Sequence, residues 1–317
     1  MAALQGVWLS TGFDLGEFFG QALAKADPEG DVQLFYPEEV PDPAAIRFAL
    51  CWRPAAGAFH PYPNLALAMS VAAGVDGLVD HPGLAPAIPV ARIRDPNQSS
   101  QMAGYVAHEV LHRERAFGQM AENAARGRWQ RIPLRAPGST IIAVLGHGSM
   151  GRAVVLALKT LGFALRVACR SAPAEPLEGV TYLTGEEAIA QAVTGADYIV
   201  NVLPLTPQTR DVLDAAVFSR LKPGAWLIQI GRGEHLVEED LIPALDAGQL
   251  AGATLDVVRQ EPLAPDHPFW SDPRLRITPH VASDALPEVV AEQVLTTLHA
   301  LRDGQPLDLA VDRGRGY

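Results

Sequence analysis

The chain of 317 residues carries 25 Lys+Arg against 36 Asp+Glu, a formal net charge of −11, with 48% hydrophobic and 19% charged residues. That length predicts two domains, and the apolar fraction supports packed cores and excludes a largely disordered chain. An acidic balance without a basic block speaks against nucleic-acid binding, and two cysteines in unrelated contexts, Cys51 and Cys169, exclude a disulfide framework or a cysteine metal site and fit a reducing compartment.

The N-terminal stretch lacks a basic leader, and its apolar part is short for a secretory signal. The most apolar window, Leu65 to Val75, is stopped by Asp76 at about half the length a bilayer span needs. The expectation is a soluble, cytoplasmic protein with no membrane segment.

Short apolar, β-rich runs alternate with helical patterns, the signature of parallel sheets covered by helices. In the first part the predicted strands are Gly6–Leu9, Val32–Phe35, Phe48–Trp52, Leu67–Val71 and Val90–Ile93. Met102–Phe117 reads as a long helix that links two units. Gly118–Ser139 is polar, contains Arg, and has no clear period; it reads equally as a solvated connection or a dimer-contact arm. The second part has six predicted strands: Thr140–Leu145, Leu165–Ala168, Tyr198–Leu203, Ala225–Ile230, Ala253–Asp256 and Leu275–Thr278. Most are nearly all apolar, as strands buried on both faces must be, and six is the count of a dinucleotide-binding sheet. A last helix near Leu286–Leu301 places Val290, Val294, Leu298 and Leu301 on one face, with Pro287 in its first turn and Gly304 at its end, and is expected to return to the first unit.

Gly146-His147-Gly148-Ser149-Met150-Gly151 is a G-x-G-x-x-G that follows an apolar strand and opens a helix with Val154, Ala157, Leu158 and Leu161 on one face. That context is what the motif needs to bind a dinucleotide: a tight turn, close approach of backbone to a pyrophosphate, and a helix N-terminus aimed at it. His147 reads as a spacer. Arg170, nineteen positions past Gly151, stands where an acid would select the ribose hydroxyl of NAD; an arginine suits the 2′-phosphate, so NADP(H) is the expected cofactor, with NAD(H) possible.

Ligands of such sheets bind outside the carboxyl ends of the strands. The chemistry-bearing residues fall there in succession: Gly146–Gly151, Arg170, Leu203-Pro204-Leu205-Thr206, Gly231-Arg232-Gly233, Asp256, and Pro279-His280. The Arg232 fork can take a carboxylate through two parallel hydrogen bonds, and its flanking glycines are expected to let a ligand come close. His280 can exchange a proton near neutral pH, and none of the other eight histidines has a comparable setting. A carboxylate such as Glu261 next to it would fix its tautomer and favour its protonated form. No metal site is expected.

These motifs resemble the D-2-hydroxyacid dehydrogenase family, most strongly from Thr140 to Ser283. The segments that carry the resemblance are Leu203–Thr209, Gly231-Arg232-Gly233 with Val237, Gly252–Val257 through Glu261-Pro262-Leu263, and His267-Pro268-Phe269-Trp270 followed by Ile277–Ala282. Within it the chain is most similar to glyoxylate/hydroxypyruvate reductases, on Cys51-Trp52-Arg53-Pro54, Ala73-Gly74-Val75-Asp76, and Met102, Tyr105, Val110-Leu111-His112 and Arg115. One departure is Gln229, where the family often has Asn, which bears on the geometry of the loop before Arg232.

The resemblance implies an α/β fold of two Rossmann-like, doubly wound parallel-sheet domains with a cleft between them. Residues 1–101 with 284–317 would be the flavodoxin-like substrate domain and 102–283 the NAD(P)-binding domain. It implies hydride transfer to a small 2-oxo acid, with His280 as general acid/base supported by Glu261, and Arg232 on the substrate carboxylate. Gly146, Gly148, Ser149, Met150, Gly151, Leu203, Pro204, Ile230 and Gly231 would line the cofactor, Arg170 and Ser171 its 2′-phosphate, and Asp256 its nicotinamide amide. Gly74 and Val75 would bind substrate through their amides, and Trp52 would wall the pocket. A homodimer through the cofactor domains is implied, with Gly118–Ser139 as the arm and Trp129 reaching the partner. The alternatives are a bulkier 2-oxo acid as substrate, or a nucleotide-sensing binding protein without turnover. An L-type lactate or malate dehydrogenase is disfavoured because about 140 residues precede the glycine loop.

Overall fold

The computed structural model describes residues 3–314 and divides into two units, one of residues up to 97 together with those from 284 onward, the other spanning Gln98–Ser283.

The first unit is a five-stranded sheet: β1 (Leu4–Ser10), β2 (Val32–Phe35), β3 (Ile46–Trp52), β4 (Leu67–Ser70) and β5 (Val90–Ala91), in the order β2-β1-β3-β4-β5. All pairs are parallel, the doubly wound 2-1-3-4-5 order. Strand side chains alternate between faces, and the core divides accordingly: Trp8, Phe48 and Leu50 lie on one side of the sheet, Val7, Leu9, Ala49 and Cys51 on the other. Helix α1 (Leu15–Ala26) starts where the Asp14 carboxylate accepts the Glu17 amide, and buries Leu15, Phe19 and Leu23. The helix Pro287–Arg302 belongs to this unit and adds Val290, Val294 and Leu298 to the same core. The short α2 (Asp76–Val79) follows β4.

The second unit begins along α3 (Pro96–Glu114). This helix starts earlier and stops earlier than the predicted Met102–Phe117. Its first turns are polar, Asn97 to Gln101, which hid them from an apolar period, and the chain turns at Ala116 with φ 51°. α4 (Phe117–Ala125) follows, so the first third of the segment read as aperiodic is helical; it buries Asn123 and presents Phe117 to solvent, an inverted pattern that conceals it.

The sheet then runs β6 (Ile141–Leu145), β7 (Ala164–Ala168), β8 (Val180–Leu183), β9 (Tyr198–Asn201), β10 (Ala225–Gln229), β11 (Leu250–Leu255) and β12 (Leu275–Ile277). Seven strands replace the six expected, in the order β12-β11-β10-β9-β6-β7-β8 and all parallel. The missed strand, β8, is Val-Thr-Tyr-Leu at the sheet edge and none of its residues is buried, so it lacks the continuous apolar run of its neighbours. Interior strands feed both layers: Ala143, Leu145, Ile199 and Leu227 face one core, Ile142, Val144, Val200 and Ile228 the other. Helices α5 (Ser149–Thr160), α6 (Ala188–Val193), α7 (Ala215–Arg220) and α8 (Glu238–Asp246) connect the strands. The order reverses between β6 and β9, the switch point where such sheets bind ligands.

Candidate active site

The glycine loop leaves β6 at that switch point, and its three glycines meet three different demands. Gly146 has φ 103°, and a Cβ there would lie 2.9 Å from the Val202 carbonyl oxygen in the loop after β9. Gly151 packs so closely that a Cβ would lie 2.3 Å from the Gly146 carbonyl oxygen. Gly148 is the N-cap of α5 and has nothing within 4 Å of a Cβ position. The first glycine makes the turn, the third seats the helix on the strand, and the middle one leaves open space in front of a twelve-residue helix. These residues fit a dinucleotide pyrophosphate. His147 is more than a spacer. Its ring stands edge-on to Tyr182 of β8, centroids 5.0 Å apart, with Nε2 3.4 Å from the phenol oxygen. Burial, with Arg152 nearby, pulls its pKa down. Arg170 and Ser171 are exposed just past the end of β7.

The next strand ends carry the polar residues. Leu203 and Pro204 follow β9, with Leu203 half-buried and Pro204 exposed. Ile230, Gly231 and Arg232 follow β10. Arg232 is half-buried, with Nη1 2.9 Å from the Gly231 carbonyl oxygen. Gln229, the departure noted in the sequence, holds this loop by donating from Nε2 to the Arg232 carbonyl at 2.8 Å. The flanking glycines have a reason other than ligand approach. A Cβ on Gly231 would lie 2.8 Å from Asn201 Nδ2 and His235 Nδ1, and one on Gly233 would lie 2.0 Å from the Val258 carbonyl. Protein atoms fill both directions.

Asp256 follows β11 and is buried. Its Oδ1 accepts the Thr278 hydroxyl at 2.6 Å and the Val281 amide at 2.9 Å, and its Oδ2 accepts the Ala282 amide at 2.9 Å. Its main-chain oxygen takes the His280 amide at 2.8 Å. Asp256 therefore holds the turn after β12 that carries His280, a residue in left-handed backbone at φ 58°. Because Thr278 gives its proton to Asp256, Tyr105 of α3 donates to Thr278, at 2.6 Å. Burial pushes the Tyr105 phenol up to about 12, and the nearby Asp256 and Glu109 carboxylates add to the rise.

His280 and Glu261 meet. Nδ1 lies 2.8 Å from Glu261 Oε2, with the side chains 23% and 17% exposed. The other carboxylate oxygen, Oε1, accepts the Val258 amide at 3.2 Å, which fixes the carboxylate at the base of its loop. An acceptor-only carboxylate at Nδ1 means that this nitrogen carries a proton. Nineteen residues separate the two in sequence; adjacent strands β11 and β12 bring them together.

The substrate residues expected in the first unit sit at the ends of its neighbouring strands β3 and β4. Trp52 closes β3, its ring 6.0 Å from that of Phe13 and 5.9 Å from the Arg53 guanidinium. Gly74 and Val75 lie in the loop after β4, where Ser70 Oγ donates to the Gly74 carbonyl at 2.7 Å. Three residues escaped the sequence reading: Asn201, His235 and Thr278. His235 is fully buried against the Arg232 backbone. The signal available was its place three residues after Arg232. Among the described residues, no group of three His, Cys, Asp or Glu could hold a metal, and no helix is long and apolar enough to cross a membrane.

Comparison with known proteins agrees with this geometry. Residues 108–282 match the family model of the D-isomer specific 2-hydroxyacid dehydrogenase NAD binding domain. The chain is 39% identical over 276 residues to a glyoxylate/hydroxypyruvate reductase A of Yersinia enterocolitica, covering 85% of this chain and 87% of that one. It is 35% identical over 300 residues to the Serratia proteamaculans protein of the same name, covering 93% and 94%. A crystal structure of a D-isomer specific 2-hydroxyacid dehydrogenase from Xanthobacter autotrophicus in complex with NADPH and MES superposes with a TM-score of 0.88 at 36% identity over the whole of both chains. A Sinorhizobium meliloti NADPH-dependent glyoxylate/hydroxypyruvate reductase in complex with NADP and sulfate also gives 0.88, at 28% identity over 99% of each chain. The chain belongs to the D-isomer specific 2-hydroxyacid dehydrogenases, and residues 108–282 are its NAD-binding domain.

Proposed function

We propose that this enzyme reduces a small 2-oxo acid, glyoxylate or hydroxypyruvate, to the 2-hydroxy acid, with NADPH preferred over NADH. The observation that carries the reading is the His280–Glu261 pair at 2.8 Å, on the sheet edge where the glycine loop and Arg232 also end. The relatives' names and the NADP(H) in two similar structures favour the same chemistry.

A bound dinucleotide would supply the hydride that the reduction of the carbonyl carbon needs. Gly146, Gly148, Ser149, Met150 and Gly151 hold its pyrophosphate at the N-terminus of α5, and Leu203, Pro204, Ile230 and Gly231 flank it. Arg170 and Ser171 bind the 2′-phosphate, a dianion that a guanidinium recognises through paired hydrogen bonds. Asp256 has one acceptor position left on Oδ2 for the nicotinamide amide. Arg232 receives the substrate carboxylate; in the first unit, the family resemblance assigns substrate binding to the Gly74 and Val75 amides and to Trp52. His280 Nε2 gives its proton to the carbonyl oxygen, and Glu261 keeps Nδ1 protonated throughout, so the ring presents the same edge before and after transfer. The protein acts as a cytoplasmic homodimer, in which residues 118–139, with fully exposed Trp129, form the contact arm.

The test is NADPH oxidation by purified protein with glyoxylate, hydroxypyruvate, pyruvate and phenylpyruvate, repeated with NADH. Turnover of the first two with NADPH supports the reading. Turnover of bulkier acids alone reassigns the pocket wall at Trp52. NADPH binding without turnover points instead to a sensing protein, and comparable kcat/KM with the two cofactors refutes the role of Arg170.

A further inference from the structure

Beneath the Arg232 loop lies a closed polar cluster that the proposed chemistry does not use. Asn201 and Gln229 are the last residues of β9 and β10 and pair across the sheet. Their side chains and that of His235 are fully buried. Asn201 Nδ2 donates to Gln229 Oε1 at 2.8 Å and lies 2.9 Å from His235 Nδ1. The Arg232 amide donates to the same Nδ1 at 3.0 Å, and Gln229 Nε2 donates to the Arg232 carbonyl at 2.8 Å. On the far side of the ring, Nε2 lies 3.3 Å from the Pro204 carbonyl oxygen.

The donor bookkeeping admits one state of the imidazole. A main-chain amide and a carboxamide nitrogen can only donate, so Nδ1 carries no proton and is an acceptor. Nε2 carries the proton and gives it to Pro204. The ring is neutral, in a single tautomer, and bonded at both ends to main chain. One end is the amide of Arg232. The other is the loop after β9. The two ends lie 28 residues apart in sequence, from Pro204 to Arg232.

We propose that His235 is a positioning residue: its neutral ring ties the seat of Arg232 to the cofactor loop at Pro204. This rests on the roles given above to Arg232 and to Leu203-Pro204. Through Nδ1 it sets the backbone from which Arg232 projects, and through Nε2 it sets the height of the loop that flanks the dinucleotide. The absence of a Cβ at Gly231, where one would lie 2.8 Å from this same Nδ1, is what lets the ring come so close.

The two ends can be separated. His235→Asn places an amide oxygen where Nδ1 stands, keeping an acceptor for the Arg232 amide, but is too short to reach Pro204. His235→Gln reaches toward Pro204 with a donor and leaves the Arg232 amide unpaired. The readouts are NADPH Kd by fluorescence and, on the NADPH-loaded protein, Kd for oxalate, a carboxylate probe that cannot be reduced. His235→Asn is expected to raise the NADPH Kd about 5- to 10-fold with oxalate binding nearly unchanged, and His235→Gln to do the reverse, the size expected for one buried hydrogen bond. A merely structural role would move both constants together in step with the unfolding midpoint, and that result overturns the proposal. Because the variants could fold poorly, a second measurement uses the wild type. Nitrogen NMR of the protein labelled in histidine should show one ring protonated at Nε2 alone, and a signal assigned to His235 with its proton on Nδ1 overturns the proposal. The split in binding constants carries the inference even for a wild type that turns over no 2-oxo acid, an outcome that would sink the reductase reading alone.

Discussion

Replacing Glu261 by Gln tests the proposed catalytic pair with almost no change of shape. The carboxylate has two tasks: Oε2 accepts from His280 Nδ1 at 2.8 Å and Oε1 accepts from the buried Val258 amide at 3.2 Å. A carboxamide has one oxygen and cannot perform both. If the oxygen stays on Val258, the amide group points N–H at Nδ1, which disfavours the doubly protonated ring that the reduction requires. If the oxygen turns to His280, the Val258 donor is left unpaired, at about 1–3 kcal/mol, and a charge-assisted bond becomes a neutral one, losing about a further 1 kcal/mol. Either route costs about 2–4 kcal/mol, which on the proton-transfer step is roughly a 30- to 1,000-fold loss of kcat at 1.36 kcal/mol per decade. The assay is NADPH oxidation at saturating glyoxylate, with NADPH Kd measured by fluorescence as the control. That Kd should stay within about a factor of two, because neither atom involved belongs to the glycine loop. A kcat within about threefold of wild type would refute the pairing as the source of the acid.

Other perturbations separate packing from binding. Gly148→Ala has open space for its methyl and extended backbone at φ −71°, so the unfolding midpoint should hold while NADPH Kd rises at least about 10-fold; Gly151→Ala meets the Gly146 carbonyl at 2.3 Å and should destabilise the fold by about 1–3 kcal/mol. Both are read by thermal unfolding and fluorescence titration, and equal effects on the two would contradict the division of roles. Arg170→Ala should lower kcat/KM for NADPH by about 10-fold or more and leave that for NADH nearly unchanged, the loss expected for a charge-assisted pair; parallel losses would argue that Arg170 does not read the phosphate. Burial would raise the pKa of Glu114 and Asp197. Hydrogen bonds to Glu114 from Arg135 and Tyr198, and to Asp197 from Lys222, the Ile141 amide and Arg135, outweigh it, and both values fall below normal. Because the folded values lie below the unfolded ones, their stabilisation is full above the ordinary carboxylate range and is lost as pH falls through the folded values. Acid unfolding should therefore be shallower in Arg135→Met, and an unchanged acid limb would exclude this network as its cause.

The interior of the second sheet was legible in the sequence because strands buried on both faces are written as apolar runs, and β6, β9 and β10 are such runs. The edge strand β8 was not, since its Thr181 is exposed and none of its other three residues is fully buried. Helix α4 escaped for the converse reason: its apolar Phe117 is exposed and its buried residue is Asn123. The site divides in the same way. Order along the chain and position after a strand placed the glycine loop, Arg232, Asp256 and His280 at one edge. What sequence order cannot carry is which polar group spends its bonds on which neighbour. Asp256 was read as a cofactor contact, yet three of its four acceptor positions hold the turn of His280. That turn places a β-substituted residue at φ 58°, a conformation that costs of order 1–3 kcal/mol unless its surroundings fix it. Nothing local in Thr278-Pro279-His280 announces this; the stabilising group comes from the neighbouring strand.

The glycines around Arg232 give the sharpest case, since the motif alone suggested room for a ligand and the structure fills that room with protein. A methyl on Gly233 would lie 2.0 Å from the carbonyl of Val258 and 2.4 Å from the amide of Arg259. These are backbone atoms, so the strain cannot be relieved by a rotamer. The Val258 amide is itself bonded to Glu261, and Arg259 is tied on through its amide to Glu238 at 2.9 Å, through Nε to the Leu236 carbonyl at 2.8 Å, and through an ion pair with Asp211. The Arg232 loop and the Glu261 loop can part only by moving one of the two groups to which the proposed reaction assigns a role. Gly233→Ala is therefore expected to lower kcat by more than its loss of stability would explain: about 1–3 kcal/mol of overpacking, read by denaturant unfolding, but at least about a 100-fold drop in turnover with both the oxo-acid KM and kcat affected. Wild-type turnover in a destabilised Gly233→Ala would show that this contact serves the fold alone, and that the spacing of Arg232 from the His280–Glu261 pair is set elsewhere.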